Sequence, residues 1–142
     1  MKETRLRPNK LTFDLDVFVV LSGDSGGIVT LEPIYDWLRA HGYSAEKETV
    51  QIEGVPAQFI PAYNKLIEEA VAEAVMQDYE GVPVRVMRPE YLTAIMLQTG
   101  RDKDRERLSI FREQAKFDPS YLDDVLTRHD LRAKWNVWTR KA

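Results

Sequence analysis

The chain has 142 residues, 44% hydrophobic and 30% charged, with a formal net charge of −3 and no cysteine. This is the mix of one folded domain, with room for a helical extension, and not of a disordered chain. A weakly acidic chain is no general polyanion binder, so any nucleic-acid contact has to use a local patch. The lack of cysteine excludes a disulfide framework, a thiolate zinc site and a Cys nucleophile, and it fits a reducing, cytoplasmic setting. No apolar run is long enough to span a bilayer, so no membrane partner is expected.

Residues 1–10 carry Lys2, Arg5, Arg7, Lys10 and Pro8 and read as an extended basic arm. Residues 11–21, rich in Val, Phe and Leu, predict a strand, central and covered on both faces because apolar residues occupy both. The Gly- and Ser-rich stretch 22–27 predicts a flexible loop. Its letters match those around the nucleophile of chymotrypsin-like proteases, but no His precedes Ser25, and that reading is rejected. Residues 30–41 predict a helix with Thr30 as N-cap and Gly42 as its stop. Residues 45–52 and 55–60 predict two strands of a hairpin turning at Glu53-Gly54. An amphipathic helix is expected over 64–76, a short strand over 82–87, and a helix opened by Pro89 and ended by Gly100. The last third reads as helical: 102–115, a helix capped by Asp118, and 129–138. His41 and His129 read as helix-end residues, Arg85 and Arg88 as surface charges, and Trp135 and Trp138 as packing groups that could also anchor a partner. The expected class is α/β (α+β): a mixed sheet covered by helices, with a helical C-terminal part. The expected organisation is the arm over 1–10, the core over 11–115, and C-terminal helices over 116–142 packed on it.

Asp14 and Asp16 stand two apart on the first strand, so both carboxylates leave the same face. Two adjacent anions repel, and such a pair either sits in solvent at a strand end or binds a cation. Mg²⁺, or Mn²⁺ in its place, suits an oxygen-ligand site that also takes substrate phosphates. Arg101, Lys103 and Asp104 follow a helix end; two cations and an acid there read either as a solvated helix start or as a phosphate contact.

The run Thr12-Phe13-Asp14-Leu15-Asp16-Val17-Phe18-Val19 resembles the metal-binding strand of small nucleotidyltransferases related to polymerase β. With 54–61, 79–86 and 88–105, including Gly100-Arg101-Asp102-Lys103-Asp104, the chain resembles bacterial nucleotidyltransferase-like proteins near the abortive-infection toxins of that superfamily. The resemblance implies Mg-dependent transfer of a nucleoside monophosphate from a nucleoside triphosphate to a hydroxyl of RNA, protein or a small molecule. It implies catalytic and metal roles for Asp14 and Asp16, and phosphate contacts from Arg101 and Lys103 oriented by Asp104. It also implies a third carboxylate on the neighbouring strand, where this chain has Gln58, with Glu46, Glu48 and Glu53 as substitutes. The usual Gly-Gly or Gly-Ser turn is missing ahead of Asp14. An amide accepts no proton at neutral pH, so the transfer is expected to be weak or degraded. The alternative is a non-catalytic nucleotide- or protein-binding domain, of a toxin–antitoxin system by resemblance only; a second copy or another protein is left open as partner.

Overall fold

The structure is a computed structural model and describes residues 15–20, 31–46 and 49–140. It is an α+β fold divided into two compact units, 1–62 and 63–142. The expected N-terminal arm, the Gly-rich loop, Thr30 and Asp14 lie outside the described residues. No helix among the described residues is long and apolar enough to cross a membrane.

The first unit holds β1 (Leu15–Val19), α1 (Glu32–Ala40), β2 (Ala45–Glu46), β3 (Thr49–Ile52) and β4 (Val55–Pro61). They form a mixed sheet in the order β1-β4-β3-β2, with β1 parallel to β4 and the other pairs antiparallel. The hairpin was legible from its turn: Ile52 pairs with Val55, and Glu53 and Gly54 both take positive φ, 52° and 83°. Positive φ at both central residues is the type I′ geometry whose twist matches that of the strands. The run expected as one strand over 45–52 instead divides into β2 and β3, which pair with each other. Helix α1 ends in a Schellman motif, with Gly42 at φ 89°, Tyr43 N–H donating to the Leu38 carbonyl and Gly42 N–H to that of Arg39. It packs by Leu38, which is buried, and by an edge-to-face contact of Tyr35 with Phe59. Val50 and Ala57 are fully buried.

The expectation that β1 is central and doubly covered is corrected. Among the described residues β1 pairs only with β4, at one end of the sheet, and Leu15 and Val20 are 52% and 56% exposed. Apolar residues on both faces of a short run show β-propensity, which edge and central strands share.

The second unit holds α2 (Lys65–Ala72), β5 (Val75–Tyr79), β6 (Val82–Val86), α3 (Pro89–Thr99), α4 (Asp102–Gln114), α5 (Pro119–Arg128) and α6 (Arg132–Thr139). β5 and β6 form an antiparallel ribbon closed by Glu80-Gly81, with φ values of 51° and 86°, the same turn type again. Helix α3 runs through the core: Tyr91, Ala94 and Leu97 are at most 1% exposed and pack with Leu66, Leu108, Val125 and Leu126 from its neighbours. Gly100 closes α3 in the left-handed region at φ 72°, where a Cβ would be strained.

Caps fix the helix starts. The Asn64 side chain accepts the Ile67 N–H at 2.9 Å, and its amide reaches Gln98 at 2.7 Å. Asp118 accepts the N–H groups of Ser120 and Tyr121 at 3.1 and 3.2 Å, and its own N–H donates to the buried Glu90 carboxylate at 2.8 Å. Replacing an N-cap acid by Ala removes the partner of orphan helix donors. Asp118→Ala is therefore expected to lower stability by about 1 kcal/mol, read as a lower urea midpoint with an unchanged slope.

Candidate functional site

Strand β1 meets β4 in a parallel register with Leu15 opposite Ala57, Asp16 opposite Gln58 and Val17 opposite Phe59. Paired residues of adjacent strands share a face, and successive residues alternate. Phe59 meets Tyr35 of α1, so Asp16 and Gln58 stand on the face away from α1. Asp16 is exposed and Gln58 half-buried. The structure thus brings two of the expected site residues side by side; Asp14 lies outside the described residues. Both side chains offer hard oxygen donors, and a divalent cation such as Mg²⁺ commonly takes one or two carboxylates and completes its shell with water and phosphate. The pair fits part of such a shell, although no group of three His, Cys, Asp or Glu side chains gathers among the described residues. Of the substitutes for a third carboxylate, Glu53 sits in the hairpin turn, Glu46 is on β2 at the far end of the sheet from β1, and Glu48 lies outside the described residues.

At the start of α4 the structure brings Arg101 and Asp104 together. Asp104 is 3% exposed and accepts three bonds from Arg101: the backbone N–H at 3.2 Å, Nε at 2.7 Å and Nη2 at 3.0 Å. The guanidinium holds the Asp104 carboxyl below the usual carboxylate range, outweighing the burial that opposes it. A buried carboxylate without its cation is costly, so this pair is a structural cap that occupies one edge of the guanidinium. Asp104 thus holds the Arg101 guanidinium in place. Lys103 is exposed on the first turn.

Sequence reading missed a cluster centred on Glu69 of α2. Its carboxylate accepts Arg128 Nη1 and Nη2 at 3.0 and 2.8 Å, lies 3.3 Å from His129 Nε2, and takes the hydrogen bond of the Tyr91 hydroxyl. Arg128 Nε also reaches Asp124 at 2.9 Å. Glu69, Glu73, Tyr91, Tyr121, Asp124 and Arg128 line a cleft of about 430 Å³. The Arg128 hydrogen bonds, with those of Tyr91 and His129, hold Glu69 at about 2 against its partial desolvation. Burial and the Glu69 carboxylate push the Tyr91 hydroxyl well above its usual value. A general acid or base works best with a pKa near the operating pH, and neither group meets that condition. The cluster is a structural knot. No local signal announces it, since Glu69 and Arg128 are 59 positions apart.

Arg85 and Arg88, expected as plain surface charges, instead bond to the last carbonyls of α2. Arg85 Nη2 donates to Val71 O at 2.7 Å, and Arg88 Nε to Glu73 O at 3.1 Å. They satisfy the orphan acceptors of a helix C-terminus, where positive charge is favoured.

Comparison with protein families, with curated proteins and with solved structures finds no match to this chain.

The Glu69 knot predicts a pH dependence. Glu69 is held at about 2 in the fold against an ordinary 4.5, so its contribution is complete above the ordinary value and is lost as pH falls towards 2. Glu69→Gln is expected to flatten that acid limb of the stability curve. It should also cost about 1–3 kcal/mol at neutral pH, because charged donors lose their acceptor. Urea titrations of both proteins between pH 7 and pH 2.5 read both effects.

Proposed function

We propose that the chain is a nucleotidyltransferase-like protein that uses Mg²⁺ or Mn²⁺ to transfer a nucleoside monophosphate from a nucleoside triphosphate to a hydroxyl acceptor, weakly. One observation carries the reading: Asp16 on β1 stands opposite Gln58 on the parallel neighbour β4, the strand on which the resemblance expects the third oxygen ligand. Asp14 and Asp16 would hold the cation, with the Gln58 amide oxygen beside them. When bound, the cation stabilises charge on the α-phosphate and on the departing pyrophosphate. The acceptor oxygen bonds to the α-phosphorus, the bridging oxygen leaves with the pyrophosphate, and the acceptor proton passes to water. Gln58 cannot take that proton, which is why the transfer is weak.

Gln58 is also what favours the second reading, a non-catalytic domain that binds a nucleotide or a partner protein. An amide keeps a neutral oxygen donor beside Asp16 and removes one like charge from the strand pair. The toxin–antitoxin setting follows from the resemblance alone, and the cytoplasmic one from the lack of cysteine.

Calorimetry with Mn²⁺ and ATP tests the metal site. Wild type is expected to bind weakly, and the Asp14→Asn/Asp16→Asn variant to bind at least tenfold more weakly; equal binding by the two overturns the reading.

A separate expectation concerns Gln58→Asp. It places a carboxylate beside Asp16, so without metal it should cost about 0.5 kcal/mol through like-charge contact across strands. Millimolar Mg²⁺ should reverse that loss, and label transfer from α-labelled ATP should rise. Thermal melts with and without Mg²⁺ and a transfer assay read the two effects. A variant that Mg²⁺ does not stabilise and that transfers no more label than wild type favours the non-catalytic reading.

A further inference from the structure

The arginines of the second unit divide by what they bind. Arg101, Arg128 and Arg132 pair with carboxylates, and Arg85 and Arg88 with backbone carbonyls. Arg105, Arg107 and Arg112 of α4 and Arg140 have neither among the described residues, and of these Arg105 and Arg112 are set apart by their rings. Each lies over a tryptophan of α6, Arg105 at 6.0 Å from the centre of Trp138 and Arg112 at 5.3 Å from that of Trp135. Lys134 of α6 shares the Trp138 ring at 5.6 Å, so two cations meet one aromatic. The Lys134 ammonium also reaches the C-terminal end of α3: a Cβ built on Gly100 would stand 2.6 Å from Nζ.

The sequence spacing explains why these charges are left over. Residues three and four apart are neighbours on a helix. Those positions around Arg112 are Leu108, Ser109, Ala115 and Lys116, none of them acidic. Around Arg105 the one acid is Asp102, and around Lys134 it is Asp130; neither comes within salt-bridge reach. Glu106 and Glu113 each follow an arginine by one residue, about 100° further round α4, and border the patch on one side.

A cation held near an aromatic face is positioned without being neutralised, so its N–H groups stay available to oxyanions. Arg105 and Arg112 are seven residues apart, about 10 Å along the helix axis. The result is a short row of positive charge without ion-pair partners among the described residues, on a chain whose formal net charge is −3.

We propose that this α4–α6 face is a docking surface for the phosphodiester backbone of a nucleic acid, with Arg105, Arg112 and Lys134 contacting phosphates. An acidic protein would meet the same charges, but a stable protein interface also needs a desolvated apolar anchor. Here both tryptophan rings are half-buried and already carry the cations. Backbone binding needs charge alone, and with the rings so occupied it is independent of sequence. The inference is independent of the proposed metal site on β1 and β4.

The test is fluorescence anisotropy of a labelled short oligouridylate, chosen for its weak stacking, against the full chain over a range of salt. Wild type is expected to bind at low salt. The Arg105→Gln/Arg112→Gln/Lys134→Gln variant should bind at least tenfold more weakly, and the slope of log K against log salt should become shallower by about 2 for three lost phosphate contacts. Arg105→Lys/Arg112→Lys keeps the charge and should retain most of the binding, which separates charge from packing. Circular dichroism checks the fold; should the triple variant unfold, Lys134→Gln alone should still make the slope shallower by about 0.7. An affinity and a slope that the Gln variants leave unchanged overturn the proposal. So does capture of polyglutamate in preference to the oligonucleotide, which assigns the face to an acidic protein instead.

Discussion

The carboxylate of Glu69 is the fixed point of the helical unit. A single acid on α2 is held by a phenol from α3, a guanidinium from the last turn of α5, and the imidazole just beyond it. The ties continue outward from there. Tyr91 meets Tyr121 edge to face, and the Tyr121 hydroxyl donates to Glu73 at 3.2 Å. Arg88 stacks over Tyr121 at 4.7 Å and bonds to the Glu73 carbonyl at the end of α2. The circuit leaves α2 at Glu69 and returns to it at Glu73. Apolar burial supplies most of the stabilisation of such a unit but is non-directional. A closed set of charge-assisted bonds fixes which face of each helix points inward, because such bonds tolerate little change in geometry.

The acids of this chain are handled in two ways. Glu69, Glu90 and Asp104 are partly or wholly buried, and each has its own donors: Arg128 with Tyr91 and His129, the Asp118 N–H, and Arg101. Burial of a charge demands this. Asp16 is different. It is exposed on the sheet face away from α1 and stands opposite Gln58 in the strand register. The proposed metal site rests on β1 and β4 because there an exposed carboxylate and an amide oxygen stand in register on adjacent strands.

Much of the fold was legible where local chemistry marks an end. Gly42, Pro89, Gly100 and Asp118 delimit helices as expected, and Glu53-Gly54 marks a hairpin. The same dipeptide recurs at Glu80-Gly81 and marks the hairpin of β5 and β6, yet the helix expected over 64–76 takes in Val75 and Met76, the start of β5. The reason is that Ala70, Val71, Ala74 and Val75 satisfy a helical stripe, while Val75 to Tyr79 also satisfy a strand, and periodicity alone does not choose between them. The second Glu-Gly turn would have decided it. The pairing of Arg101 with Asp104 was accessible because it is local. The Glu69 knot was not, because its partners lie 22 to 60 positions away. Nor was the end position of β1 in the sheet, since a strand's own residues do not state how many neighbours it has.

The placement of Gln58 beside Asp16 also has a local origin. A strand's side chains alternate, so a shift of one residue exchanges its faces. The two-residue turn at Glu53-Gly54 sets Ile52 against Val55, and that register carries Val50 to Ala57. Ala57 is in turn opposite Leu15 on β1, so Gln58 falls opposite Asp16. The burial of Val50 and Ala57 locks this arrangement, since a slip by one would drive the Gln58 amide towards α1 and expose an apolar residue beside Asp16. The chemistry available at the candidate metal strand therefore depends on a turn that holds no ligand. A longer loop at Glu53-Gly54 would free the register, while leaving every residue of the proposed site in place in the sequence.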